Sequence, residues 1–397
     1  MAPVHRLSPR RLFAVIAAVI GLGALAQMTF VWWADPYGAR GSAGPKVTAL
    51  VGGQRRYYKA HDLARVRPDM LICGTSRVEQ SFEPGHPALA QQGWRPYVAA
   101  MAGSTLYEQY RMVQHAHAIQ PLKMVWVELA FLITSARQPR WNPGFSEARL
   151  ALAADGRTQP LHALADLPLL FALDSQAAAW RTLRHGSSPR RTLAETFDRG
   201  HFFPRNLDFS GNNRTSFVRG AQAAWADQCR DFAVADANGV NPHLADLASL
   251  ITFCRAQGIA LSLFLTPEHA YHQWLIRHAG LWPAYVGFKR QALALAGNDV
   301  PVWDFSPPGP LTAENLPPAT QAGRTMVNYN DGGHYTTAIA RRIIQTLADG
   351  AATDGFGLRL DAATLDAELA AQEAALCTWA AAHPADAAEV EAMVPSR

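Results

Sequence analysis

Five short apolar runs constrain this chain more than any other feature: Met70–Cys73, 97–101, Met124–Glu128, 259–265 and 302–305. Amphipathic, helix-compatible segments stand between and after them, at 107–120, 243–257, 270–296 (with room for a break) and 336–348. Strands alternating with helices predict an α/β domain whose central sheet is parallel and covered on both faces. Gly258 and Gly350 stand where helix C-terminal stops belong. The stretch 134–241 breaks this rhythm with helical pieces and a polar loop at 206–214, and reads as an insertion between the third and fourth strands. Beyond residue 355, an Ala- and Glu-rich tail to 397 predicts a peripheral helix without chemistry.

The 397 residues, 49% hydrophobic and 17% charged, supply ample material for a core and exclude a disordered chain. A net charge of +4 is small for this length, and the arginines at 181, 184, 190 and 191 form no long basic stripe. Nucleic acid is therefore not an expected partner. The four cysteines, Cys73, Cys229, Cys254 and Cys377, lack Cys-x-x-Cys spacing, which argues against a zinc knuckle or a redox pair.

His5, Arg6, Arg10 and Arg11 precede an apolar stretch, 12–33, broken only by Gln27 and Thr29. That is about the length that crosses a bilayer core. Preceding arginines and the trailing Trp32-Trp33 fit a positive-inside, aromatic-belt anchor. A cleaved signal peptide is the rival, with Ala24-Leu25-Ala26 as its cleavage site, but the apolar run continues past that site. Either way, residues after Pro36 are expected outside the cytoplasm: a linker over 34–66, then a domain over 67–355.

Chemistry is expected where apolar runs end, because ligands of open parallel sheets bind at the carboxyl ends of the strands. Gly74-Thr75-Ser76-Arg77 follows the first run. Ser76 there either caps the next helix or serves as a nucleophile beside a helix N-terminus. Near the other end, Asn330-Asp331-Gly332-Gly333-His334 precedes the last amphipathic segment. Asp331 and His334, three apart in a Gly-rich loop, can be turn and capping residues, or the orienting acid and base that a serine nucleophile requires. Their combination with Ser76 is more specific than either motif alone.

These motifs, with the small-residue turn Ala102-Gly103-Ser104 after the second strand, resemble the SGNH/GDSL hydrolase superfamily. They are most similar to its membrane-anchored bacterial members that act in acylation of cell-surface polymers. The resemblance spans about 67–350, without the insertion. It implies a flavodoxin-like three-layer α/β/α sandwich, Ser76 as nucleophile, His334 as base, Asp331 as acid, and the amides of Ser76 and Gly103 as an oxyanion hole. It also implies a cell-surface polysaccharide or its acyl donor as substrate, and a multi-span membrane acyltransferase as partner at the inner membrane. The chain departs from the pattern twice. Thr75 replaces the aspartate before the nucleophile, and the third-block oxyanion Asn is missing from Val127-Glu128-Leu129-Ala130. Thr75, Arg77 and Ser104 are candidate replacement donors.

Arg77, Ser104, Glu128 and His269 are candidate substrate contacts by position. His269 and His272 have the spacing of two metal ligands without a third, so no metal or other cofactor is expected. Trp141, Phe145 and Trp274 could stack on sugars or simply fill a core. No phosphate loop or Gly-x-Gly-x-x-Gly follows a strand, which argues against nucleotide binding. The expected activity is a periplasm-facing O-acyltransferase or esterase. The alternative is a non-catalytic polysaccharide-binding or scaffold domain of the same build.

Overall fold

The structure, a computed structural model, describes residues 8–39, 54–160, 164–184, 197–202, 212–321, 323–352 and 354–395. His5, Arg6, Arg190, Arg191 and most of the loop 206–214 lie outside the described residues. In chain order the helices are α1 (Pro9–Ala34), α2 (Arg55–Val66), α3 (Ser76–Ser81), α4 (Pro87–Gln91), α5 (Leu106–Ile119), α6 (Leu173–Arg184), α7 (Asn213–Ala224), α8 (Pro242–Ala256), α9 (Ala270–His278), α10 (Trp282–Ala296), α11 (Thr337–Asp349), α12 (Leu365–Ala382) and α13 (Pro384–Glu391). The strands are β1 (Met70–Cys73), β2 (Pro96–Val98), β3 (Met124–Glu128), β4 (Phe197–Asp198), β5 (His201–Phe202), β6 (Ala260–Leu265), β7 (Val302–Asp304) and β8 (Leu358–Arg359).

The chain divides into two compact units, Met1–Asp62 with Ser146–Thr196, and Leu63–Phe145 with Phe197–Arg397. The stretch read as a single insertion is thus shared between them. In the first unit, α1 starts with Pro9 in its first turn and stops at Asp35, whose left-handed φ of 44° ends the helical hydrogen bonding. Its 26 residues extend roughly 39 Å at 1.5 Å each, enough to span a hydrocarbon core of about 30 Å. Only 6% of its most apolar window is buried against the protein, so α1 is not a core helix.

The second unit is mixed α/β, with a mostly parallel central sheet and helices around it. Strand order is β2-β1-β3-β6-β7-β8, parallel except for the antiparallel edge strand β8. Met70, Leu71, Ile72 and Cys73 are all buried, as in a strand at the centre of a largely parallel sheet. The chain leaves β1 toward β2 on one side and returns to β3 on the other. That reversal makes the carboxyl ends of β1 and β3 the topological switch point, where open sheets form their ligand crevice.

Three departures from the expected elements matter. The second strand ends at Val98, because the Ala99 and Met101 amides reach past it to the Ile72 and Gly74 carbonyls, at 2.8 and 2.9 Å. The 270–296 segment is two helices, broken where Gly280 takes a φ of +75° and Pro283 starts α10. The tail, expected to be peripheral, is built into the unit: Leu369, Leu376 and Trp379 are buried. From α12, Gln372 accepts a 2.6 Å hydrogen bond from the fully buried Lys289 ammonium, which also pairs with Asp304 at 2.6 Å. Asp386 and Glu389 of α13 hold Arg214 at 2.6 and 2.8 Å.

Candidate active site

The turn after β1 has no room for a side chain at Gly74. A Cβ there would stand 2.6 Å from Glu128 Oε2, 2.7 Å from Val78 Cγ2 and 2.9 Å from Glu128 Cβ. This close approach lets the Glu128 carboxylate, at the end of β3, accept the Thr75 N–H at 2.5 Å and the Thr266 hydroxyl at 3.1 Å. Thr75 is the N-cap of α3, and its hydroxyl accepts the Arg77 N–H at 3.4 Å. Ser76 is therefore the first residue of a helix whose start is bolted to the neighbouring strand.

Ser76 Oγ lies 2.8 Å from His334 Nε2. His334 Nδ1 lies 2.9 and 3.0 Å from the two Asp331 carboxylate oxygens. Asp331 Oδ1 also accepts the backbone N–H groups of Gly333 and His334, at 2.9 and 2.8 Å, which folds the Asp-Gly-Gly-His loop around its own carboxylate. An ionised carboxylate only accepts, so the His334 proton belongs on Nδ1, leaving Nε2 to accept from the Ser76 hydroxyl. Burial alone would raise the Asp331 carboxyl, but the adjacent His334 and the two amides hold it well below the ordinary carboxylate range. Burial pushes the His334 imidazole down, and Asp331 outweighs that, so the ring sits above its ordinary value.

A second charged cluster backs the first. Arg77 Nη1 donates to Glu268 Oε1 at 2.7 Å and to Thr266 Oγ1 at 3.3 Å. Glu268 Oε2 faces His272 Nδ1 at 3.1 Å. Glu268 is buried, which would raise its carboxyl, yet Arg77 and His272 bring it down to about 2. The guanidinium in turn is held above its ordinary value against its own desolvation by Glu268 and Glu128. The His269 amide donates to the Gly332 carbonyl at 3.0 Å, so the start of α9 latches the loop that carries Asp331 and His334.

A cavity of about 270 Å³ opens over these groups. Thr75, Ser76, Arg77, Gly103, His272 and Asp331 to His334 line it on the polar side, and Ala130, Leu132, Ile133, Ala223 and Ala224 on the apolar side. Gly103 arrives because the Met101–Gly74 hydrogen bond ties its turn to the Ser76 turn, and a φ of +63° lets the chain reverse there. Among the described residues, neither the Ser76 nor the Gly103 N–H meets an acceptor within the protein.

The structure thus brings Ser76, Arg77, Gly103, Asp331 and His334 to one cavity. It takes three candidate substrate contacts away from it. Ser104 is fully buried, its hydroxyl directed 3.5 Å from the Thr105 carbonyl. Glu128 is fully buried and committed to Thr75 and Thr266, so it is part of the scaffold beneath the site. His269 is fully buried as the N-cap of α9, with Nδ1 accepting the Tyr271 N–H at 3.1 Å and Nε2 facing the Glu314 carbonyl at 2.8 Å. Burial brings that imidazole down to about 4, consistent with a neutral capping ring. Of the aromatics, Trp141 and Phe145 pack on Tyr107, and Trp274 donates to Glu391 at 3.1 Å; none lines the cavity.

Two supporting residues have no sequence motif. His272, read only as half of an incomplete metal pair, joins the Glu268 cluster and lines the cavity. Asn142 donates to the Gly103 carbonyl at 2.7 Å, while its own N–H bonds Glu108 Oε1 at 2.9 Å. Glu108 closes the capping box of α5 with Thr105, so Asn142 fastens the Gly103 turn to a helix start. An Asn-plus-Glu pattern thirty-odd residues apart carries no signal before the fold is known. No family model matches the chain, and no curated protein matches it in sequence.

Proposed function

We propose that this protein is a membrane-anchored serine O-acyltransferase or esterase that handles acyl groups of a cell-envelope polysaccharide. The observation that carries the proposal is the hydrogen-bonded chain Ser76–His334–Asp331, opening on a cavity at the carboxyl ends of the strands. The strand order and the placement of these residues support an SGNH-like, flavodoxin-like sandwich, in line with the resemblance of the motifs.

In this mechanism Ser76 Oγ attacks the acyl carbonyl carbon while its proton passes to His334 Nε2. The imidazolium is stabilised by Asp331. The carbonyl oxygen becomes an oxyanion facing the Ser76 and Gly103 amides, with the Arg77 charge nearby. Collapse expels the donor's alcohol or thiol, which takes the proton from His334. An acceptor hydroxyl, or water, then gives its proton to His334 and attacks the acyl-serine, restoring Ser76. The apolar wall of Ala130, Leu132 and Ile133 suits a short acyl chain.

Arg10-Arg11 in the first turn of α1 and Trp32-Trp33 at its end favour a retained inner-membrane anchor with the α/β unit on the periplasmic side. The resemblance of the motifs adds a multi-span membrane acyltransferase, delivering acyl groups through the membrane, as the proposed partner.

A second reading has one observation in its favour. The loop after β3 lines the cavity with Ala130, Leu132 and Ile133, none of which carries a side-chain donor for an oxyanion. A polysaccharide-binding domain needs no such donor. Acyl content of the surface polymer in cells expressing Ser76→Ala separates the two. Catalysis predicts loss of acylation with the protein still at the membrane; unchanged acylation favours the binding domain.

A further inference from the structure

The first unit contains a surface that the proposed chemistry does not use. A 3₁₀ helix, Leu167–Phe171, and helix α6 pack on the last two turns of α1. Val31 and Ala34 of α1 form a small core with Ala179, flanked by Phe30 and Leu170. The Phe30 and Trp180 rings lie 5.3 Å apart. The face of α6 turned inward carries Ser175, Ala178, Ala179 and Thr182, all buried. Small residues of this kind let two helices approach closely, as they do within bilayers.

The outward face mixes charge, at Asp174, Arg181 and Arg184, with large apolar side chains, the composition of an interfacial helix. Leu173 is 77% exposed and Trp180 57%, with Leu164, Leu167, Phe171 and Leu183 also exposed. On a water-facing surface a contiguous set of large apolar side chains marks an interaction site. Its position along α1 identifies the partner. Twenty residues from Leu12, about 30 Å of helix, end at Val31. The α1 residues that hold this segment therefore lie at the outer boundary of the hydrocarbon layer.

Two hydrogen-bonding features agree with that depth. Gln27, a polar interruption of the apolar stretch, donates its side-chain N–H to the Phe171 carbonyl at 2.6 Å. A backbone carbonyl in hydrocarbon has no water to accept from and needs a protein donor. At the other end of the segment Asp166 is buried, held by His61 at 2.6 Å and Arg149 at 2.5 Å, so its charge is neutralised within the unit. Arg181 and Arg184, exposed in the last turn of α6, can reach lipid phosphates while their stems stay in the apolar layer.

We propose that residues 164–184 are a second membrane-seated element, lying in the outer lipid interface beside the end of α1 with Leu173 and Trp180 against acyl chains. The proposal rests on α1 spanning the bilayer, and its test separates the two. The full chain is reconstituted in nanodiscs of phosphatidylethanolamine and phosphatidylglycerol. It carries Cys377→Ala, since the remaining cysteines are buried. Spin labels are placed singly at Val19→Cys, Leu167→Cys and Leu173→Cys, and their collision rates with oxygen and with a water-soluble nickel chelate are compared. Lipid contact predicts oxygen collisions severalfold above nickel collisions at all three positions. An oxygen excess at Val19 with nickel access at both Leu167 and Leu173 overturns the interfacial element and leaves the anchor standing. Nickel access at Val19 overturns both. Labels at 167 and 173 shielded from both reagents show protein, not lipid, covering the surface, and overturn the proposal as well.

Discussion

Adding one methyl group at Gly74 should damage the protein more than adding one at Gly103, for different physical reasons. At Gly74 the new Cβ meets the Glu128 Oε2, Val78 Cγ2 and Glu128 Cβ atoms at 2.6, 2.7 and 2.9 Å. Ordinary carbon contacts fall at 3.5–4.0 Å, so two neighbours, Glu128 and Val78, must move together, and overpacking of a dense core costs about 1–3 kcal/mol. Relief by moving Glu128 breaks its 2.5 Å bond to the Thr75 N–H, a charge-assisted contact worth roughly 1.5–3 kcal/mol. Gly74→Ala should therefore lose about 2.5–6 kcal/mol by the sum of these two effects, a large part of a stability of about 5–15 kcal/mol typical of folded domains. At Gly103 nothing stands within 4 Å of the added Cβ, and only the φ of +63° opposes it. That strain costs about 1–2 kcal/mol. Urea titration of the full-length protein in detergent, followed by near-ultraviolet circular dichroism, measures both. A Gly74→Ala variant within about 0.5 kcal/mol of wild type, the range of neutral surface changes, would refute the claim that the β1 turn is packed against Glu128.

Turnover should rise with pH through a midpoint above the ordinary histidine value, because His334 must be neutral to accept the Ser76 proton and Asp331 raises its pKa. Asp331→Asn should move that midpoint down. The same pair predicts a stability signature of defined sign: the His334 contribution is full below the unfolded histidine pKa and fades as pH rises through the folded one. The Asp331 contribution, from a depressed carboxyl, is full above the unfolded aspartate pKa and fades as pH falls. Ser76→Ala and His334→Ala should each remove nearly all activity, with little further loss in the double variant, while Asp331→Asn should cost less than either. Lys289→Ala should destabilise by roughly 3–5 kcal/mol, since it leaves the buried Asp304 carboxylate without its cation; a change below 1 kcal/mol in a urea titration would contradict that role.

The parts of the fold visible in the sequence are those written in local pattern. Runs such as Met-Leu-Ile-Cys at 70–73 are apolar without alternation because every residue of the strand is buried, and the structure has strands at those places. The 97–101 run looked longer than β2 because Ala99 to Met101 is buried equally well while crossing the end of β1. The burial of the tail is hidden in its sequence because α12 is rich in alanine on every side, which masks the face that meets the core. Ser76 stands out in the sequence because it follows an apolar run and Gly74, and Asp331 and His334 because they share a Gly-rich loop ahead of the helix at Thr337. The burial of Glu128 and His269 is not visible in the sequence, because strand-end position says nothing of which way a side chain is turned. The Arg77–Glu268–His272 cluster joins residues almost two hundred positions apart, and Asn142 meets Gly103 through a helix cap; only the folded chain brings them together.

The most direct test of the central claim is whether Ser76 becomes covalently acylated. The full-length protein in detergent is treated with a fluorophosphonate or an activated acetyl ester, and the modified peptide is located by mass spectrometry. The account predicts one adduct, on Ser76, that is abolished in Ser76→Ala and slowed at least about a hundredfold in His334→Ala, the contribution typical of a general base. No adduct on Ser76 under conditions that label a known serine hydrolase, or equal labelling in the His334→Ala variant, would contradict it.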